Sequence, residues 1–179
     1  MSLLASSLTT GLALTILGLF VARSNNKARS LILGFPRSKR CSFWLVGIAT
    51  LWFLGRHVAF LSEADFGNYK LLIGFIALGT AVLSFVFVSD FLAVRGLAMM
   101  TLLWSREVLD SAFLHDAMSR LVLVSVIYIL IAFSIYFGAW PYKLRDFIEW
   151  LNQRSVRITS IGWIFTLVGL LIISLSFTY

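Results

Sequence analysis

The chain has a single cysteine, Cys41, among 179 residues. That excludes an internal disulfide and any cysteine-built metal site. Cys41 follows a basic stretch at the start of an apolar run, the place of a small helix-end residue, with S-palmitoylation as the alternative. Charge is scarce, at 13% of residues, and histidine occurs only as His57 and His115. H-E-x-x-H, C-x-x-C and glycine-rich phosphate-loop motifs are all missing. Ser105, His115 and Asp116 have triad residue types but no nucleophile-elbow context. No catalytic role and no metal are expected.

What fills the chain instead is apolar surface, 60% of residues against about 45–50% in an average soluble protein. A fold this small has too little interior to bury it from water. A bilayer removes that difficulty. The expected fold class is all-α, a polytopic transmembrane helix bundle of five to six segments with short basic interfacial helices, forming one domain over residues 1–179.

A span needs about 20 mostly apolar residues. Leu3–Ala22, Cys41–Leu61, Leu71–Ser89, Leu121–Ala139 and Ile158–Phe177 meet that length. Phe91–Trp104 is shorter, about 21 Å as a helix against a hydrocarbon core of about 30 Å. Met1 to Ala22 carries no charged side chain, so a signal peptide's basic n-region is missing, and a retained first span with its N-terminus outside is expected.

The formal net charge of +7 would suggest nucleic acid in a soluble protein. Here the basic residues flank apolar runs, which places them on the cytoplasmic side of a bacterial-type inner membrane. Residues 23–40 hold six basic side chains and no acid, while Glu63 and Asp65 mark the next connection as outside. Residues 140–157 are basic again. Both basic loops reach one side only if Phe91–Trp104 also crosses, giving six spans. The alternative is five spans with an amphipathic helix at 91–118.

The two basic loops match at an offset of 116 residues: Ala28, Leu31, Ile32 and Phe35 against Leu144, Phe147, Ile148 and Leu151. Each set has i, i+3, i+4, i+7 spacing. Lys27 and Arg29 align with Lys143 and Arg145. These four are expected to face anionic lipid from interfacial helices. Asn25 or Asn26 suits a cap for the first helix, and Pro141 the first turn of the second. Repeat units 1–61 and 119–179 would then flank a central hairpin, 70–118.

The C-terminal third, from PYKLRDFIEWL through IGWIFTLVGLLIISL with Gly162 and Gly169, resembles small two-span bacterial inner-membrane proteins of unknown function. The resemblance implies a location and no mechanism.

Candidate sites are few. His57, beside Arg56 near a span end, suits an interfacial pair or a single pigment or haem contact. Trp44, Trp104, Trp140 and Trp163 fall near proposed span ends, as an aromatic belt requires. Ala77 with Ala81, Thr80 with Ser84, and Gly11 with Gly18 line single helix faces where close packing is expected. Asp90 and Arg95 interrupt the apolar stretch 71–104, where a chain break near Asp90 would let them meet as a polar site. Taken together these features suggest a non-catalytic accessory or structural subunit of a larger membrane complex, respiratory or photosynthetic. A small transporter or channel is the alternative. Membrane lipids and other membrane subunits are the expected partners, with no nucleic acid and no cofactor beyond lipid.

Overall fold

The computed structural model describes residues 2–62, 66–113, 115 and 117–178, and at Lys27 the backbone alone. Glu63, Asp65 and Asp116 lie outside the described residues. The fold is all-α, with no strand among the described residues. Among the described residues eight α-helices follow in order: α1 (Leu3–Ala22), α2 (Asn26–Gly34), α3 (Lys39–Trp52), α4 (Lys70–Phe87), α5 (Leu92–Ala112), α6 (Arg120–Ala139), α7 (Pro141–Asn152) and α8 (Ser155–Ser176). A π-helical turn, Phe53–Val58, prolongs α3.

Local chemistry accounts for several ends. The Ser2 hydroxyl accepts from the Ala5 amide at 3.3 Å, and Ser38 accepts from the Cys41 amide at 3.3 Å, capping α1 and α3. Pro141 opens α7, where its missing N–H has no partner to lose. Asn25 does stand at the N-cap of α2, but its side chain makes no capping hydrogen bond.

Among the described residues five segments are long and apolar enough to cross a membrane: α1, Lys39–Val58, Gly67–Phe87, α6 and α8. The chain is a multi-pass membrane protein. The segment read as Phe91–Trp104 is longer than its apolar run suggests. It begins at Leu92 and continues to Ala112, 21 residues or about 32 Å. Arg106, Glu107 and Asp110, beyond the apolar run, lie on its last turns. The helix crosses the whole bundle. Its first residues pack beside α7 and the Phe35–Arg37 turn, while Ser111 near its end hydrogen-bonds Ser6 of α1 at 2.5 Å.

α5 is the centre of the fold, packed against α1, α3 and α6, with nine of its residues buried. Leu3, Leu14, Val108, Leu123, Ile127 and Ile172 join α1, α5, α6 and α8 in the main apolar cluster. α1 and α8 pack antiparallel through glycines. A Cβ added at Gly11 would lie 2.9 Å from the Gly169 carbonyl oxygen, and one at Gly18 would lie 2.7 Å from that of Gly162. α2 and α7 touch each other at the basic end, so the two span–short helix–span units meet there. Elsewhere they pack differently: α1 pairs with α8, whereas α5 stands between α3 and α6. α4 lies outermost, against α3 and its π turn, and buries none of its residues.

Candidate functional site

At the end of the bundle away from α2 and α7, a crevice of about 480 Å³ opens between the end of α3 and the last turns of α5. The π turn makes one wall. Its widened spacing appears as the Ala59 amide bonding the Leu54 carbonyl at 2.9 Å, five residues back. The extra residue turns Arg56 and His57 toward α5; π turns inside helices often mark sites of function. α5 makes the other wall, with Arg106, Glu107 and Asp110.

Arg56 grips Glu107 with both ends of its guanidinium. Nε donates to Oε1 at 3.0 Å and Nη2 to Oε2 at 3.3 Å. The Glu107 carboxylate is buried, while the arginine is about half exposed, 55% of its side chain. Burying a carboxylate without a partner is costly, and the forked guanidinium supplies two donors in one plane. Arg106 and Asp110 approach only to 3.9 Å and are exposed, so their charges stay available at the mouth. His57 packs on the Phe53 ring at 5.9 Å, and its buried Nε2 has no hydrogen-bond partner among the described residues. One turn inward, Trp52 and Trp104 meet edge-on at 6.1 Å, and Trp104 Nε1 donates to Thr10 Oγ1 at 3.1 Å. Trp104 is therefore an interior residue of α5 and not part of an interfacial belt, because α5 continues two turns beyond it.

A second, apolar groove of about 530 Å³ begins one turn further along the same two helices and runs between α3, α4 and α5. Four small residues of α4, Ala77, Thr80, Ala81 and Ser84, form its outer wall with Ile73 and Ile76.

The other sequence-derived candidates are dispersed. The chain does break at Asp90, and Phe91 there takes a left-handed backbone, φ 58°. Asp90 is exposed, and the structure makes no ion pair between it and Arg95. The partners of this turn are arginines instead: Arg37 lies 5.4 Å and Arg145 5.9 Å from the Phe91 ring centre. Of the four basic residues expected to face lipid, Arg29 turns inward and donates to Ser155 Oγ at 2.7 Å. Arg145 bonds Asp146 at 2.6 Å, which raises its pKa further above the ordinary arginine value. Lys143 is exposed above the Tyr142 ring at 5.7 Å, and the side chain of Lys27 lies outside the described residues. The two arginines reach other elements, Ser155 at the start of α8 and the Phe91 turn, contacts that their own periodicity does not encode.

Among the described residues no three histidine, cysteine or acidic side chains gather as a metal site. The crevice was missed in sequence because its parts are 51 residues apart, Arg56 from Glu107. The signal that could have found it is the pairing of an arginine late in one span with acids beyond the end of another apolar run. Comparison with protein-family models, curated proteins and solved structures gives no match, so the role of this membrane protein must be read from its own residues.

Proposed function

We propose that the chain is a non-catalytic subunit of a larger membrane assembly, docking through the outer face of α4. The observation that carries this reading is that α4, a spanning helix, buries none of its residues within the chain. Apolarity gives no drive for helix association in lipid; packing does. Phe75, Gly79, Val82 and Val86 fall on one stripe by helical spacing, opposite the groove-lining residues. Phe75 is 74% and Val86 70% exposed. A glycine among large apolar side chains offers a partner helix a place of close approach.

The positive-inside rule supports a bacterial-type inner membrane with the α2–α7 end in the cytoplasm, and the resemblance of the C-terminal third agrees with that location. A transporter reading draws support from the charged crevice. Against it stand Trp52 and Trp104, whose aromatic contact lies directly inward of the ion pair.

The test is cross-linking in native membranes from cysteines placed at Phe75 and Val86 on α4, with Ile129 and Ile135 on α6 as equally apolar, exposed controls. Discrete heavier adducts from the α4 positions alone are expected. Adducts from neither face, or equally from both, would refute docking through α4.

A further inference from the structure

The charged crevice and the apolar groove lie end to end. Phe53, where the π turn begins, and Leu103 of α5 line the groove; Arg56 and Arg106, each three residues further on, line the crevice. Three residues of helix rise about 4.5 Å. The polar site sits where the span Lys39–Val58 ends, at headgroup depth, and the groove descends from it toward the bilayer interior with an open side. A polar end and an apolar channel in that order match an amphiphile lying parallel to the lipids.

The crevice also constrains the headgroup. Glu107 is already neutralised by Arg56, which leaves Arg106 and Asp110 at the mouth, weakly engaged at 3.9 Å and exposed. One offers hydrogen-bond donors to a phosphate, and the other accepts from an ammonium. A purely anionic headgroup would place a second negative charge beside Asp110. A quaternary ammonium has no N–H to donate and is usually held by several aromatic rings; among the described residues the crevice is lined by one phenyl ring, Phe60. We infer that the α3–α5 crevice and the α3–α4–α5 groove together form a binding site for one zwitterionic phospholipid with a primary amine headgroup, its phosphate at Arg106, its ammonium at Asp110 and an acyl chain along the small residues of α4. This inference is independent of the partner proposed for α4, because the groove uses the helix face opposite Phe75 and Val86.

The experiment is native mass spectrometry of the full chain in nanodiscs of equal phosphatidylethanolamine and phosphatidylglycerol, reading retained lipid and its headgroup. The wild type is expected to retain one phosphatidylethanolamine. Asp110→Asn should lower the preference for it over phosphatidylglycerol by about fivefold, as for an ammonium partner lost at a partly solvated site. Arg106→Gln should weaken retention of both lipids by a similar factor. Ala77→Leu and Ala81→Leu, each filling the groove from a helix that buries nothing, should abolish retention, while Leu78→Phe, exposed on α4 and outside the groove lining, should leave it unchanged. Two groove variants are used so that one failing to fold leaves the other decisive. Retention unaffected by both groove variants, a headgroup ratio unmoved by Asp110→Asn, or a wild-type chain that emerges lipid-free or with a peptide in place of lipid would each overturn the site.

Discussion

The α1–α8 pair and α4 look alike in composition and behave as opposites. Mean hydropathy is 1.9 for α1, 2.2 for α8 and 2.1 for the segment containing α4. Yet a third of α1 is buried inside the chain and none of α4 is. Glycine placement explains the difference. Gly11 and Gly18, and Gly162 and Gly169, are seven residues apart, only about 20° around a helix, so each pair makes one flat face. Gly74 and Gly79 of α4 are five apart, about 140°, and make none. Small polar residues reinforce the seam: the Thr15 and Thr166 hydroxyls bond back to their own helices at 2.7 and 2.9 Å, so each is satisfied while its oxygen lies against a glycine of the other helix, Gly169 and Gly18 respectively. In lipid, apolarity decides which helices insert, and the shape of their faces decides which of them meet.

The strongest way to break this comparison is to add bulk at matched positions. Gly162→Val would drive a side chain into the Ala22 backbone, which cannot move aside as a flexible side chain could. Its expected cost is about 3 kcal/mol, at the upper end for overpacking. Gly79→Val meets nothing within 4 Å and should cost less than about 0.5 kcal/mol in the isolated chain. Unfolding by steric trapping in bicelles measures both. Equal costs would mean that α1 and α8 are not held by close approach.

A smaller effect separates the buried from the exposed acid of α5. Glu107→Gln leaves the shape intact but strips the charge that Arg56 grips, and a fall in Tm of about 2–4 °C is expected. Asp110→Asn, on an exposed side chain, should leave Tm within about 1 °C. Exchanging the pair, Arg56→Glu with Glu107→Arg, should restore part of the loss. If the exchange is worse than Glu107→Gln alone, the attraction between the two charges is not what stabilises the end of α5.

The spans were legible in sequence because insertion depends on length and apolarity, both local properties. Leu3–Ala22 and the end of Leu121–Ala139 are found where apolar runs place them. The break at Asp90 was legible too, since a charge interrupts an apolar stretch. The extent of α5 was legible only in the alternative that ran a helix over 91–118. The direction in which Glu107 points was not, because its partner Arg56 lies 51 residues earlier. Asp90 and Arg95 failed as a pair for a different reason: a break near Asp90 was expected to bring them together, and the break that forms leaves Asp90 exposed with no ion pair to Arg95. Helix packing in this chain is set by partners remote in sequence, which periodicity within one segment cannot supply.

The smallest expected effect tests the turn that separates the loose helix from the central one. Phe91 joins α4 to α5 with φ at 58°, a region that costs an L-residue roughly 1–2 kcal/mol. Its half-buried ring lies beneath Arg37 from the first basic loop and Arg145 from the second, so the strained residue is also where the two loops converge on α5. Phe91→Gly removes both the ring and the strain, whereas Phe91→Ala removes the ring and keeps the strain. Both variants lose the arginine contacts alike, so the difference between them isolates the backbone. Phe91→Gly should be the more stable by about 0.5–1 kcal/mol, after subtracting the greater freedom of glycine in the unfolded chain. If the ring contacts hold the turn, both variants should also speed hydrogen exchange in the first turn of α5 without touching α1 or α8. Exchange that rises equally in α8 would mean that the two regions are coupled through the basic end, and that α4 is not the independent edge its lack of buried residues implies.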